Sequence, residues 1–418
     1  MNTERSASLL SRLHPAVKVG YSLLVSVLIV LLTTPTHLVM LALSTLAVLF
    51  LGRIPLRRFK VLFLVVLSIV GSTMVSQAFF YYFEPRTALL TVVPQQTPFF
   101  GRITGGIYVY REGIVYGLVQ SLRLVSATFM ATAIAASTHP SEILVWLKKV
   151  RLPRELGLVL MVSIRFMPQL VEETKRILLG LRLRGVKTKG FINTVAAFRL
   201  LLQPLLINSL RQARMLALAA EVRGFSASKT SSPSGPAGFI TKFTTVDLMV
   251  IAFFISLLYL AALPFKMGLS KIPFIHAFLF SVPFTAVLFA GISLVPKCGT
   301  ATLIICGNSL LGQMISRGVN PLWWPYPISE SIVLEAFFLL ARDYVRTPFG
   351  AIAGGALRGL VVYLYFYLVS APLIWHKFYA PWYVTVETLQ GVTGSALGGF
   401  LGYRIGKAVE SAYKHATL

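Results

Sequence analysis

Two patterns of apolar and polar positions alternate along the chain. Uninterrupted apolar runs at about 17–33, 37–51, 60–80 and 113–138 approach or exceed the roughly 20 residues that a helix needs to cross about 30 Å of hydrocarbon. A run at about 156–170 passes directly into charged helical sequence, which predicts a helix only half embedded. Beyond Pro140 and as far as Phe225, apolar residues recur at helical spacing with basic ones between them, with boundaries at Pro168 and Pro204. Such segments are amphipathic helices. A Ser/Pro/Gly-rich joint opens at Ser226 and extends over 226–244. A span at about 246–264 follows, and then candidates near 272–295, 299–316, 328–341, 349–373 and 384–403. The pattern predicts an all-α integral membrane protein, a polytopic helical bundle of about 10 spans, divided into 1–265 and a second transmembrane region at 266–418.

Composition excludes the soluble alternative. With 56% hydrophobic and 13% charged residues in 418, and a mean hydropathy of +0.75, the chain has more apolar surface than a water-soluble core can bury. Long continuous runs, without short alternating segments, point to helices and not to a barrel. A net charge of +25 raises the question of nucleic acid, but 16 of the 39 Lys and Arg lie in one block between His139 and Lys229. By the positive-inside rule that block is cytoplasmic, so the amphipathic helices of about 139–225 lie inside and no nucleic-acid partner is implied. The turn from Gly52 to Lys60, with Arg53, Arg57 and Arg58, faces the same side. A cytoplasmic N-terminus carrying Arg5, Arg12 and Lys18 agrees with this, and the first apolar run reads as a span, not a removed signal. Residues 81–112, rich in aromatics, Pro and Gly, then fall outside as a lid or a long connection. Arg342 and Arg346 fall inside, and Arg404, Lys407 and Lys414 put the C-terminus inside, with Lys266, Lys271 and Arg317 as exceptions to the alternation. Cys298 and Cys306 form neither a disulfide framework nor a zinc pair.

The most informative motif is a loose repeat: Arg176-Ile-Leu-Leu-Gly-Leu-Arg-Leu-Arg184-Gly185 and Arg214-Met-Leu-Ala-Leu-Ala-Ala-Glu-Val-Arg223-Gly224, whose Arg-Gly ends stand 39 residues apart. Each reads as a helix stopped by glycine, with an arginine in the last turn where the helix dipole favours it. The bland reading is two capped surface helices. The alternative is a docking device, because a guanidinium at a helix tip can pair with a partner's carboxylate in bidentate geometry.

At these residues the sequence resembles the T component of energy-coupling-factor (ECF) transporters. The resemblance rests on Thr138-His-Pro-Ser-Glu142, on Ser163-Ile-Arg-Phe-Met-Pro168-Gln-Leu-Val-Glu172-Glu173, and on the two Arg-Gly ends, with Phe225 after the second. It covers about residues 10–265. The family's triplet is usually Ala-Arg-Gly, and here Leu183 and Val222 replace the alanines. The resemblance implies that Arg184, Gly185, Arg223 and Gly224 dock into two ABC-type ATPase subunits whose closure moves the coupling helices. ATP and Mg would be used by those partners. This chain has no Gly-x-x-x-x-Gly-Lys-Ser/Thr loop, so no cofactor of its own is expected and no enzymatic activity either.

The second region exceeds what a T component requires and looks like a fused substrate-binding S component; a separate S component is the other arrangement the resemblance allows. Gly394, Gly398, Gly402 and Gly406 repeat every four residues, a spacing that lets another helix approach closely in lipid, and Gly350, Gly354, Gly355 and Gly359 continue the theme on the helix before. Polar groups in or beside spans are costly and often functional, which makes Asn308, Glu330, Glu335 and Arg358 candidate substrate contacts. Trp323 and Trp324, with Tyr326, stand beside them as either ligand-stacking rings or an interfacial belt. The two glutamates equally suit structural pairing with Arg358 or Arg342. By the resemblance a vitamin or similar small organic nutrient fits better than a metal, whose binders in that family use a free N-terminus. His276 and His376 read as isolated.

Two other classes compete. A secondary transporter or channel would use Glu330, Glu335 and Glu387 as coupling carboxylates but leaves the Arg-Gly ends unexplained. An intramembrane enzyme would need clustered Asp or a His-Glu-x-x-His pair, whereas Asp247 and Asp343 are 96 residues apart.

Overall fold

The computed structural model describes residues 10, 13–52, 56–81, 87–93, 107–138, 142, 154–185, scattered positions of 204–222, 243–266, 275–317, 323–341, 347–374, 379 and 381–416. Two compact units divide the chain: Met1–Trp146 with Gln313–Trp323 and Val369–Phe378, and Leu147–Gly312 with Trp324–Leu368 and Tyr379–Leu418.

The first unit contains α1 (Pro15–Leu31), α2 (Pro35–Leu51), α3 (Leu56–Phe80), β1 (Ala88–Val93), β2 (Ile107–Tyr110) and α4 (Arg111–Ser137). Proline opens both α1 and α2, where its missing N–H costs nothing and its fixed φ suits the first turn. Val25, Ile29, Leu38, Leu41, Ala127, Met130 and Ile134 bring α1, α2 and α4 together in one apolar cluster. Gly113 and Gly117 let α4 lie directly on α3, since a β-carbon at Gly113 would stand 2.5 Å from the Gln77 carbonyl oxygen. The other side of α3 is apolar and exposed, at Phe63, Leu64, Val65 and Leu67, as a lipid-facing helix must be.

Among the described residues of this unit, two cations are buried. Lys18 donates to the carbonyl of Ser137 at 3.0 Å, and Arg123 donates through Nη2 to the carbonyl of Leu32 at 2.8 Å. Each satisfies a carbonyl at a helix C-terminus, where the dipole also favours positive charge. Between α3 and α4 the segment read from sequence as a lid or a long connection holds an antiparallel ribbon, with Ala88 opposite Tyr110 and Val93 opposite Ile107. Its base is tied by Glu112, which accepts from the Thr87 N–H at 2.9 Å and from the Thr87 hydroxyl at 2.6 Å. Local β-branched and aromatic residues support this pairing, but its register was not visible in an irregular aromatic segment.

The second unit contains α5 (Arg154–Leu183), α6 (Thr245–Lys266), α7 (His276–Leu294), α8 (Thr300–Gly312), α9 (Pro325–Leu340), α10 (Pro348–Tyr365) and α11 (Pro381–Ala416). A π-helical stretch, Phe366–Ile374, continues α10. The sequence of α6 is apolar on every side and the helix is accordingly buried, with Ile251, Ala252, Phe253, Phe254, Ile255 and Leu258 all inaccessible. It begins with a reciprocal cap in which the Thr244 N–H donates to Asp247 at 2.7 Å and the Asp247 N–H donates to the Thr244 hydroxyl at 3.2 Å. Asp247 also pairs with Lys297. Paired serines clamp α5 to α6: Ser163 donates to the Ala252 carbonyl at 2.9 Å, and Ser256 donates to the Ser163 carbonyl at 2.8 Å.

α11 packs closely on two neighbours. Gly394, Gly398 and Gly402 meet the backbone of α7, where β-carbons would stand 2.8, 2.6 and 2.5 Å from the carbonyl oxygens of Phe278, Val282 and Ala286. Gly406 meets Ser293 on the same helix. On its other side Gly391 and Gly399 face α10, against Tyr363 and Ala351. Among the described residues, Leu62–Phe79, Arg111–Ser137, Thr245–Ala262, His276–Leu294 and Pro348–Leu373 are long and apolar enough to cross a membrane, and Ala16–Leu31, Pro35–Leu51 and Thr300–Ile315 are shorter apolar helices.

Candidate functional site

The first Arg-Gly end is a glycine-stopped helix terminus. α5 runs through Pro168 to Leu183; the Arg184 N–H donates to the Gly180 carbonyl at 3.1 Å and the Gly185 N–H to Arg182 at 3.0 Å. Gly185 has φ +81°, the left-handed conformation that residues with a β-carbon adopt at a cost. Arg184 is exposed, and so is its apolar neighbour Leu183, at 81%. Val222, which precedes Arg223 in the sequence, is 88% exposed. Arg223, Gly224, most of the linker, Arg342 and His376 lie outside the described residues.

Upstream on α5, Arg165, Glu172, Glu173 and Arg176 line a groove of about 420 Å³ together with Arg211 and Met215. Asn208 donates to Glu173 of this groove at 2.8 Å. Phe166, between two of the groove's charged residues, points the other way, buried edge-to-face on Phe253 of α6. One face of the helix is therefore anchored in the unit while the opposite face is charged and accessible.

The polar candidates of the second region separate into three places. Arg358 donates through Nε to Oε1 of Glu330 at 2.6 Å, and through Nη1 to the hydroxyls of Thr285 at 2.9 Å and Ser395 at 3.3 Å. Its guanidinium also lies over the Phe284 ring, 4.5 Å from the centroid. Four helices, α7, α9, α10 and α11, meet at this one side chain. Glu335 is elsewhere: it accepts from the N–H groups of Gly299 at 3.0 Å and Thr302 at 3.1 Å and so caps the start of α8. Asn308 is half-buried on α8, with an Oδ1 that has no partner among the described residues. Trp324 is the N-cap residue of α9, and nearby Tyr326 packs on Tyr365 with ring centroids 6.4 Å apart.

A cluster that the sequence did not assemble forms around Glu387. His276, read as isolated, faces it, Nδ1 to Oε1 at 3.4 Å. Tyr367, Tyr379, Trp382 and Tyr383 group beside it. His276 stands 91 residues before Tyr367, which hides its place in the cluster from any local pattern; the density of aromatics between Phe366 and Tyr383 ahead of a lone glutamate was the available signal.

Comparison with known proteins supports the family resemblance. The family model for CbiQ, described as a cobalt transport protein, matches residues 6–233, more than half of the chain. Among curated relatives, the energy-coupling factor transporter transmembrane protein EcfT of Bacillus subtilis (strain 168) is 39% identical over 131 residues, covering 29% of this chain and 49% of the relative. The EcfT of Staphylococcus aureus (strain 04-02981) is 34% identical over 132 residues, again 29% and 49%. That of Exiguobacterium sibiricum is 31% identical over 166 residues, 37% of this chain and 63% of the relative. The matched stretch spans about half the length of the first two.

Proposed function

Because the chain belongs to the cobalt transport protein (CbiQ) family, we propose that it is the transmembrane coupling component of an ECF-type, ATP-driven importer. Two ABC-type ATPase subunits bind its cytoplasmic Arg-Gly ends, at Arg184–Gly185 and Arg223–Gly224, and use ATP and Mg on its behalf. Residues 266–418 serve as the substrate-binding half for a vitamin-like small organic nutrient, and both termini face the cytoplasm. The observation that carries this reading is the exposed end of α5, where Arg184 stands on a Gly185-terminated helix beside an apolar Leu183 that is 81% exposed. An apolar side chain that open, next to a guanidinium, suits a partner surface offering a carboxylate inside a hydrophobic groove. The 88% exposure of Val222 beside Arg223 supports a second docking point of the same kind. Of the three carboxylates that the secondary-transport alternative would use, Glu330 is committed to Arg358 and Glu335 to the start of α8, which leaves that reading Glu387 alone.

The test is affinity co-purification from native membranes of the wild-type chain and of an Arg184→Glu, Arg223→Glu double variant. ATPases are expected with the wild type and absent from the folded variant. A stable wild-type chain that brings no ATPase with it would remove the coupling assignment.

A further inference from the structure

Near the start of α11 a buried carboxyl stands one turn from a group of aromatic rings. Glu387 is 1% exposed; its Oε1 faces His276, and its Oε2 is buried with no hydrogen-bond partner among the described residues. Tyr379 and Tyr383 stack, with centroids 5.7 Å apart and planes 15° apart. Tyr367 stands edge-on to both, at 5.0 and 6.1 Å, and Trp382 is edge-on to Tyr383 at 5.8 Å. Tyr383 and Glu387 stand one turn apart on the same face of α11, which joins the ring group to the carboxyl.

Each part of this cluster favours the same class of ligand. A buried carboxylate with an unused oxygen is costly unless a positive charge comes to it. Ring faces attract cations, most strongly away from water. An anionic ligand would find in Glu387 a group that offers it no positive charge. A metal ion would find one carboxylate and one imidazole, fewer donors than a protein-held site normally supplies, whereas an organic cation uses the carboxylate and the rings together. Tyr367 belongs to the π-helical stretch that continues α10, an irregularity often found at functional sites. Resting on the reading of residues 266–418 as the substrate-binding half, we propose that Tyr367, Tyr379, Tyr383 and Glu387 form a binding site for a small organic cation, with a quaternary ammonium or a positively charged heteroaromatic ring at its centre.

The experiment is calorimetric titration of the full chain in lipid nanodiscs, without ATPases. The probes are choline, its neutral tert-butyl isostere, N-methylpyridinium, benzoate and cobalt(II). Choline or N-methylpyridinium is expected to bind at least about tenfold tighter than the neutral isostere, and benzoate not at all. Glu387→Gln, checked for an unchanged elution profile, is expected to lose about tenfold or more of cation affinity while leaving the neutral probe unaffected. Tyr379→Leu should weaken the cation in the same selective way, and Tyr383→Phe, which keeps the ring, should retain the cation preference.

Equal affinity for choline and its isostere in the wild type, or no binding of either cation, overturns the proposal without reference to any variant. Cation affinity that survives in a folded Glu387→Gln chain, or cobalt(II) binding that depends on Glu387 and displaces the organic probes, overturns it as well. Because no ATPase is present, failure here leaves the docking role of Arg184 intact, and failure of ATPase co-purification leaves this binding intact.

Discussion

Arg358 and Glu330 form a buried ion pair, Nε to Oε1 at 2.6 Å, with side chains 1% and 2% exposed. The pair joins α10 to α9, and the hydroxyls of Thr285 and Ser395 extend it to α7 and α11. The arrangement is a polar lock at the centre of the second region. Glu330→Ala leaves a guanidinium buried without its counter-charge and is expected to destabilise the chain by about 3–5 kcal/mol. Glu330→Leu combined with Arg358→Met should recover most of that loss, because a well-packed apolar pair replaces the ions without desolvating them. Thermal unfolding in detergent distinguishes the two. A Glu330→Ala midpoint equal to wild type would show that the pair carries no structural weight.

Glu335 does a smaller task. Its carboxylate takes the otherwise orphaned N–H groups at the start of α8, and Glu335→Ala should cost about 1 kcal/mol, the usual value of a cap. Hydrogen exchange of the Gly299 and Thr302 amides is the readout. Faster exchange confined to that turn is expected, and unchanged protection would assign the cap to another group.

Glycines on different helices should respond oppositely to a β-carbon. Gly402→Val places atoms against the Ala286 carbonyl of α7, where the backbone cannot yield, and is expected to cost about 1–3 kcal/mol or to block folding. Gly180→Ala on α5 meets nothing within 4 Å and should be stabilising by up to about 1 kcal/mol. Expression level and unfolding midpoint of the two variants form one comparison, and similar behaviour would contradict the close approach of α11 to α7.

Gly185→Ala tests the end of α5. A side chain at φ +81° costs about 1–2 kcal/mol locally, so the chain is expected to leave that conformation and re-aim Arg184. Membrane insertion should be unchanged while recovery of ATPases in co-purification falls. Full recovery with a correctly inserted chain would mean that the geometry of the helix end does not matter for docking.

Much of this was legible in the sequence because it depends on local physics. The long apolar runs mark spans wherever the chain folds, since lipid demands helices with internally satisfied backbone. The Arg184–Gly185 end is readable because a glycine stop and a terminal arginine act within one turn. α6 read as one more span at about 246–264, and its burial on every side is a finding of the structure. His276, by contrast, read as solitary because its partner Glu387 lies 111 positions later in the chain. Lys18 read only as one of the basic residues of the N-terminus and Arg123 drew no reading, since what decides their roles is a carbonyl on another helix.

The sequence by itself therefore determined the membrane setting, the helical class, the position of the exposed Arg-Gly end and the family. Tertiary structure alone decided which polar residues of the second region become framework and which are left with unmet chemistry. Glu330, Glu335 and Glu387 are the same residue in similar apolar surroundings of sequence; one finds a guanidinium, one a helix start, and one a set of rings and a histidine. The difference is physical. A buried carboxylate takes its role from the charges and donors that packing brings within about 3 Å, and those are set by helices far apart in the chain.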